Sequence, residues 1–157
     1  MLQPVHNRPG PWRFLWSLAL LSVFFTVPVM AQNEINAIRI SSRLDFNAIL
    51  ITEVDLVFIY DQRLADQLPT LKGEWYTQKY DLLRNGTSGL EVITIYVPQG
   101  FDSLDVNLPE QSTDALRVFA VGSHEALESP VHDLSNRNRV LVEIDTFGLL
   151  VSELTDP

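Results

Sequence analysis

No cysteine occurs anywhere in the 157 residues. Disulfides are therefore excluded, and so is an acyl anchor at a processed N-terminus, which needs a cysteine there. Basic residues are scarce as well. All twenty acidic residues follow Ala31, with only nine of the eleven Lys and Arg, which leaves −11 on residues 32–157. A surface of that sign repels phosphate backbones and anionic lipid, which excludes nucleic-acid binding and charge-driven docking on an acidic membrane. The acidity keeps an exported protein soluble; a basic partner or divalent cations is the functional alternative. Past Ala31 no apolar run reaches the roughly 20 residues that a spanning helix needs.

The motifs of common chemistries are missing too. Beyond Ala31 the only histidines are His124 and His132, eight residues apart across Pro130, which matches no metal-ligand pair. Asp102-Ser103-Leu104-Asp105 lacks the alternating acids and the glycine of a calcium loop. There is no glycine-rich phosphate loop and no G-x-S-x-G elbow. Ser123-His124-Glu125 holds the right residue types for nucleophilic catalysis, but neighbours in sequence point apart, so a polar turn after Gly122 is expected instead. Among twenty acids no facing glycosidase pair can be nominated. The expectation is a protein that is not an enzyme, with no cofactor and no metal.

What is present begins at the N-terminus. Arg8 and Arg13 precede an uncharged apolar run from Phe14 to Val27, Pro28 breaks it, and Val29-Met30-Ala31 forms a small-residue exit. These are the three parts of a secretory signal peptide over residues 1–31, with the exported chain starting at Gln32. The rival is retention of that segment as a membrane anchor, the only membrane contact expected. Either way the chain works in the periplasm or outside the cell.

Residues 32–157 are expected to form one domain dominated by period-two alternation. Val54, Leu56, Phe58 and Tyr60 share one strand face, with Asp55 on the other, expected to be half-solvated. Further strands are read at Ile35–Ser42, Phe46–Ile51, Leu90–Val97, Leu104–Leu108, Leu116–Ala120, Val140–Ile144 and Phe147–Val151. Gly, Pro, Asn and Asp punctuate them. The fold class is all-β: an antiparallel β-sandwich of seven to eight strands, because the strands alternate instead of reading as continuous apolar runs.

One stretch breaks the pattern. Residues 61–89 switch to a helical period, with Trp75 and Leu82 on one stripe and Tyr76, Tyr80 and Leu83 on the next. Glu74 near the start and Arg84 near the end suit the helix dipole, and Asn85-Gly86 supplies a stop. A shorter turn of helix is expected at Gln62–Leu68, ended by Pro69. The section reads as a short helical insertion across one end or face of the sandwich. Its aromatics crowd among cations, so Trp75, Tyr76, Lys79 and Tyr80 are the candidate partner-binding residues. Rings that seal the sandwich are the competing reading.

The order of these pieces resembles a known family. The strand Val54-Asp55-Leu56-Val57-Phe58-Ile59-Tyr60-Asp61-Gln62 is followed by an insertion carrying Trp75-Tyr76 and Asp81-Leu82-Leu83. A strand ending at Pro98-Gln99-Gly100 comes next, then Asp105-Val106-Asn107-Leu108 and Leu116-Arg117-Val118-Phe119-Ala120. This is similar to the small outer-membrane lipoprotein of type VI secretion systems, over Ile35 to Val151. The resemblance implies a transthyretin-like sandwich that binds the periplasmic part of an inner-membrane secretion subunit. Family members carry an acylated cysteine at the mature N-terminus, where Gln32 stands here. The likeness thus implies either a soluble relative with a different job or a shared architecture only.

The functional expectation is an exported, non-catalytic accessory or assembly protein whose partner is another cell-envelope protein. Contact is expected through the helical insertion or the connection at Ser41–Phe46, with a secretion apparatus as the candidate setting. The alternative is a small secreted carbohydrate- or ligand-binding module using Trp75, Tyr76 and Tyr80.

Overall fold

The computed structural model describes residues 33–44, 50–85 and 89–155. The expected signal peptide (1–31), most of the expected strand at 46–51 and the Gly86-Thr87-Ser88 part of the helix stop lie outside the described residues.

Among the described residues, eight strands form two four-stranded sheets. The first is ordered β4 (Leu104–Asp105), β1 (Ala37–Ser42), β7 (Arg139–Asp145), β8 (Gly148–Glu153). The second is ordered β3 (Leu90–Pro98), β2 (Ile51–Ile59), β5 (Arg117–Gly122), β6 (His132–Asp133). Two helices, α1 (Gln62–Gln67) and α2 (Lys72–Arg84), connect β2 to β3. The β-sandwich with a helical insertion stands as the sequence implies.

Alternation explains the sheets. Ile38 and Ile40 of β1 and Val140, Val142 and Ile144 of β7 are buried, while their neighbours are not. They meet Val54, Leu56, Phe58, Val118 and Ala120 of the second sheet in one apolar cluster between the layers. Five ladders are antiparallel, and β1 with β7 is parallel, Ala37 opposite Arg139 through to Ser42 opposite Ile144. Alternation reports which face of a strand is buried, not the direction of its neighbour, and this pair is joined through the whole other sheet rather than a hairpin.

Strand β2 departs from the half-solvated picture. From Val54 to Ile59 every residue is buried. Its other face, with Val57 and Ile59, packs with Phe119 and Val121 of β5 against Trp75 and Leu68 of the helical insertion in a second apolar cluster. The helices therefore cover a face of the sandwich as a third layer, and Asp55 is buried beneath them, not solvated.

The insertion folds for local reasons. The Asp61 carboxylate accepts the Arg63 and Leu64 N–H groups at 2.8 and 3.2 Å and so caps α1. Glu74 lies in the first turn of α2 and Arg84 in the last. Its N-terminus is tied to the β5–β6 connection, with Lys72 and Gly73 N–H donating to Ser129 and Leu127 carbonyls, both at 2.9 Å. One expectation changes in extent, and one strand was not expected. The strand at Leu104–Leu108 shortens to two residues, with Val106 N–H still reaching the Ile38 carbonyl at 2.9 Å. The two-residue β6 is too short to leave a pattern.

The two clusters predict different costs of truncation. Phe58→Ala opens a cavity between the sheets and is expected to lower stability by about 3–5 kcal/mol. Phe147→Ala, at a site 92% exposed, is expected to change it by less than about 0.5 kcal/mol. Urea unfolding of both variants beside the parent measures the contrast.

Candidate functional site

Helix α2 brings Trp75 and Lys79, one turn apart, down onto β2. The Trp75 indole is fully buried and meets Phe119 edge to face, with centroids 5.4 Å apart and planes at 88°. Its Nε1–H donates to Asp55 Oδ2 at 2.8 Å. Lys79 Nζ donates to Asp55 Oδ1 at 2.8 Å, to Glu53 Oε1 at 2.7 Å and to Thr94 Oγ1 at 3.4 Å. Thr94 Oγ1 in turn donates to Asp55 Oδ1 at 2.6 Å. Strands β2 and β3 and helix α2 thus share one buried ionic network. Burial pushes the Lys79 ammonium towards losing its proton, but the hydrogen bonds to Asp55 and Glu53 outweigh it and its pKa ends above 10.5. Burial, with the Asp55 and Glu53 charges, drives the Tyr76 phenol far up.

Of the four candidate partner-binding residues, Trp75 and Lys79 therefore lie inside the fold, where no partner reaches them. Tyr76 is half-buried, and Tyr80 is 67% exposed. The two stripes read from the sequence divide accordingly. The Trp75 stripe is the buried one, and the neighbouring flank leaves Tyr80 and Leu83 in solvent. The reading missed Asp55 as a buried anchor; an acid inside a β-branched run, facing a lysine on the apolar stripe of the next helix, is the signal that could have found it.

A second polar cluster sits where the turn after Gly122 was expected. Glu125 folds inward: Oε2 accepts the Gly122 N–H at 2.9 Å, and Oε1 accepts the Leu149 N–H at 3.2 Å and hydrogen-bonds His132 Nε2 at 2.7 Å. Lys72 Nζ donates to the Ser123 carbonyl at 2.6 Å and to the Glu125 carbonyl. His124 turns elsewhere, its Nε2 2.9 Å from the Asp145 carbonyl, and Ser123 Oγ accepts the Glu53 N–H at 3.0 Å. Each of the three neighbours is engaged with a different part of the fold, so no nucleophile–base pair forms. Burial pushes the Glu125 carboxyl up, but His132 and the two amides more than offset it, and its pKa ends below 4.5. Among the described residues no group of three or more His, Cys, Asp or Glu is placed to hold a metal.

The surface feature that stands out is at one end of the sandwich. A cleft of about 440 Å³ is lined by Leu44, Leu50, Ile51, Thr52, Gln99, His124 and Thr146. Leu50 and Ile51 are 61% and 67% exposed, and Phe147 follows Thr146 at the tip of the β7–β8 hairpin. Gln99 Oε1 and His124 Nδ1, both on lining residues, are buried with no hydrogen-bond partner among the described residues. No described helix is long and apolar enough to cross a membrane.

A scan against protein-family models finds no match, and no curated protein matches. Among solved structures, the T6SS lipoprotein TssJ1 from Pseudomonas aeruginosa is similar, with a TM-score of 0.49 and 8% identity, over 80% of this chain and 99% of that one. The likeness is loose and of backbone layout, and it assigns no residue a role.

The two clusters generate separate expectations. Lys79→Met strands Asp55 and Glu53 without their cation and is expected to cost about 3–5 kcal/mol in urea unfolding. For Glu125, a folded pKa below the ordinary 4.5 means its stabilisation is complete above that pH and is lost as pH falls through the folded value. Glu125→Gln is therefore expected to flatten the fall in stability between about pH 5 and pH 2, read from urea midpoints across that range.

Proposed function

We propose that this protein is a non-catalytic accessory of the cell envelope, exported through its first 31 residues, that docks on another envelope protein through the apolar end of its sandwich. One observation carries the reading. Leu50 and Ile51 are exposed at one cleft, and Phe147 is exposed next in sequence to its lining residue Thr146, where large apolar side chains have no folding reason to face water. A cleft with an apolar lining and a few unpaired polar atoms suits an inserted side chain of a partner protein. The −11 charge of residues 32–157 favours a partner with a basic rim around that contact. The polar clusters add support from the other side, since their acids and bases are engaged in holding the fold together. A secretion apparatus is the setting suggested by the motif resemblance of the strands and insertion. Tyr80, the one fully surface-lying residue of the helical candidates, belongs to a separate face and is assigned no part in this contact.

The test is affinity capture from the native envelope with tagged full chain. Phe147→Asp and Ile51→Asp are each expected to weaken retention of the partner about tenfold or more, as at a contact hot spot, while Tyr80→Ala leaves it unchanged. Retention lost with Tyr80→Ala but kept with the other two places the contact on the helix and overturns the reading.

A further inference from the structure

Strand β3 is a sheet edge, and its hydrogen-bonding phase is fixed by its pairing with β2. Tyr60 N–H donates to the Gly89 carbonyl at 2.8 Å and Gln99 N–H to the Leu50 carbonyl at 3.2 Å, at the two ends of a nine-pair ladder. Odd-numbered residues of β3 therefore turn their peptide groups to β2. Val92, Thr94 and Tyr96 turn theirs outwards, where no strand follows in the sheet order and no described residue hydrogen-bonds to them.

Edges of this kind are usually defended by shortness, lysines, bulges or internal proline. Of the other edge strands, β4 and β6 have two residues each and β8 has six. Strand β3 has nine, in unbroken register, with Glu91 its only charge and proline only at its last position. Its midpoint is also held still. Thr94 donates to the buried Asp55 carboxylate and accepts from Lys79.

We propose that this edge pairs with the same edge of a second copy, antiparallel and centred on Thr94, joining two four-stranded sheets into one of eight strands. The strand is complementary to itself in that register. Thr94 lies opposite Thr94 of the second copy, Val92 opposite Tyr96 and Ile93 opposite Ile95. Thr–Thr and aromatic–β-branched pairs are among the favourable cross-strand neighbours. Glu91 lies opposite Val97, so the strand's only charge never meets its own copy. The outward peptide groups of Val92, Thr94 and Tyr96 supply about six N–H···O bonds, two for each hydrogen-bonded pair. A two-fold axis closes the pairing through β3, because it uses the β3 edge of both copies at once. The −11 charge on residues 32–157 of each copy opposes the association, so added salt strengthens it.

Sedimentation of the purified full chain tests this without any envelope partner, so its outcome is separable from that of the docking reading. The expected result is a monomer–dimer equilibrium that shifts to dimer with concentration and with salt. Tyr96→Pro removes an outward N–H and no bond to β2, which an edge strand tolerates, and is expected to give a monomer with an unchanged circular dichroism spectrum. Tyr96→Phe is expected to dimerise as the parent does. A parent that stays monomeric up to about 1 mM, the weak end of measurable association, overturns the proposal. A folded Tyr96→Pro that still dimerises does so too. Amide exchange of the parent gives an independent reading should Tyr96→Pro fail to fold. Val92, Thr94 and Tyr96 amides are expected to slow as concentration rises, and rates that do not change with concentration overturn the proposal.

Discussion

A carboxylate cut off from water needs a donor for each oxygen, and Asp55 finds them on two elements besides its own strand. The Trp75 indole and Lys79 come from α2, and the Thr94 hydroxyl comes from β3. Everything on that face of the second sheet follows from this requirement. The helix cannot slide along β2 without stranding the acid, and the lysine cannot leave without exposing two acids to each other. Apolar packing of Trp75 on Phe119 supplies attraction, but apolar contacts tolerate small shifts. The ionic network fixes where along the strand the helix sits, because an unpaired buried charge costs far more than a loosened apolar contact.

The same logic governs the acid–base groups elsewhere. Glu125 serves as an internal clamp for the Gly122 and Leu149 amides and for His132, joining the β5–β6 connection to the start of β8. Gly148 leaves the room for it, since a Cβ there would lie 2.8 Å from Glu125 Oε1. Residues whose types suggested chemistry are used as joints. What is left open lies elsewhere: exposed apolar side chains at the cleft lined by Ile51, and unpaired peptide groups along the edge of β3.

Strict alternation made most of the fold legible. Val140, Val142 and Ile144 read as a strand with one buried face, and that is what β7 is. The helical insertion was legible from its change of period, its acidic start and its basic end. Three things were not. The direction of the β1–β7 pair is decided by elements a hundred residues apart. A two-residue strand such as β6 has no period to detect. The burial of Asp55, and with it of Trp75 and Lys79, depends on which face the helices cover, and an acid on an alternating strand looks the same whether solvent or a lysine lies opposite. The cleft was only half legible, through the connection after β1, because its other wall comes from the β7–β8 hairpin.

Trp75 is one of three tryptophans, and the other two, Trp12 and Trp16, lie within the first 31 residues. A chain shortened to Gln32 onwards keeps a single indole, and that indole sits at the seam between the helices and the second sheet rather than between the two sheets. Its emission colour therefore watches one layer boundary alone. Lifting of the helices from an otherwise intact sandwich becomes visible as a red shift that precedes the loss of sheet ellipticity, without any label being attached.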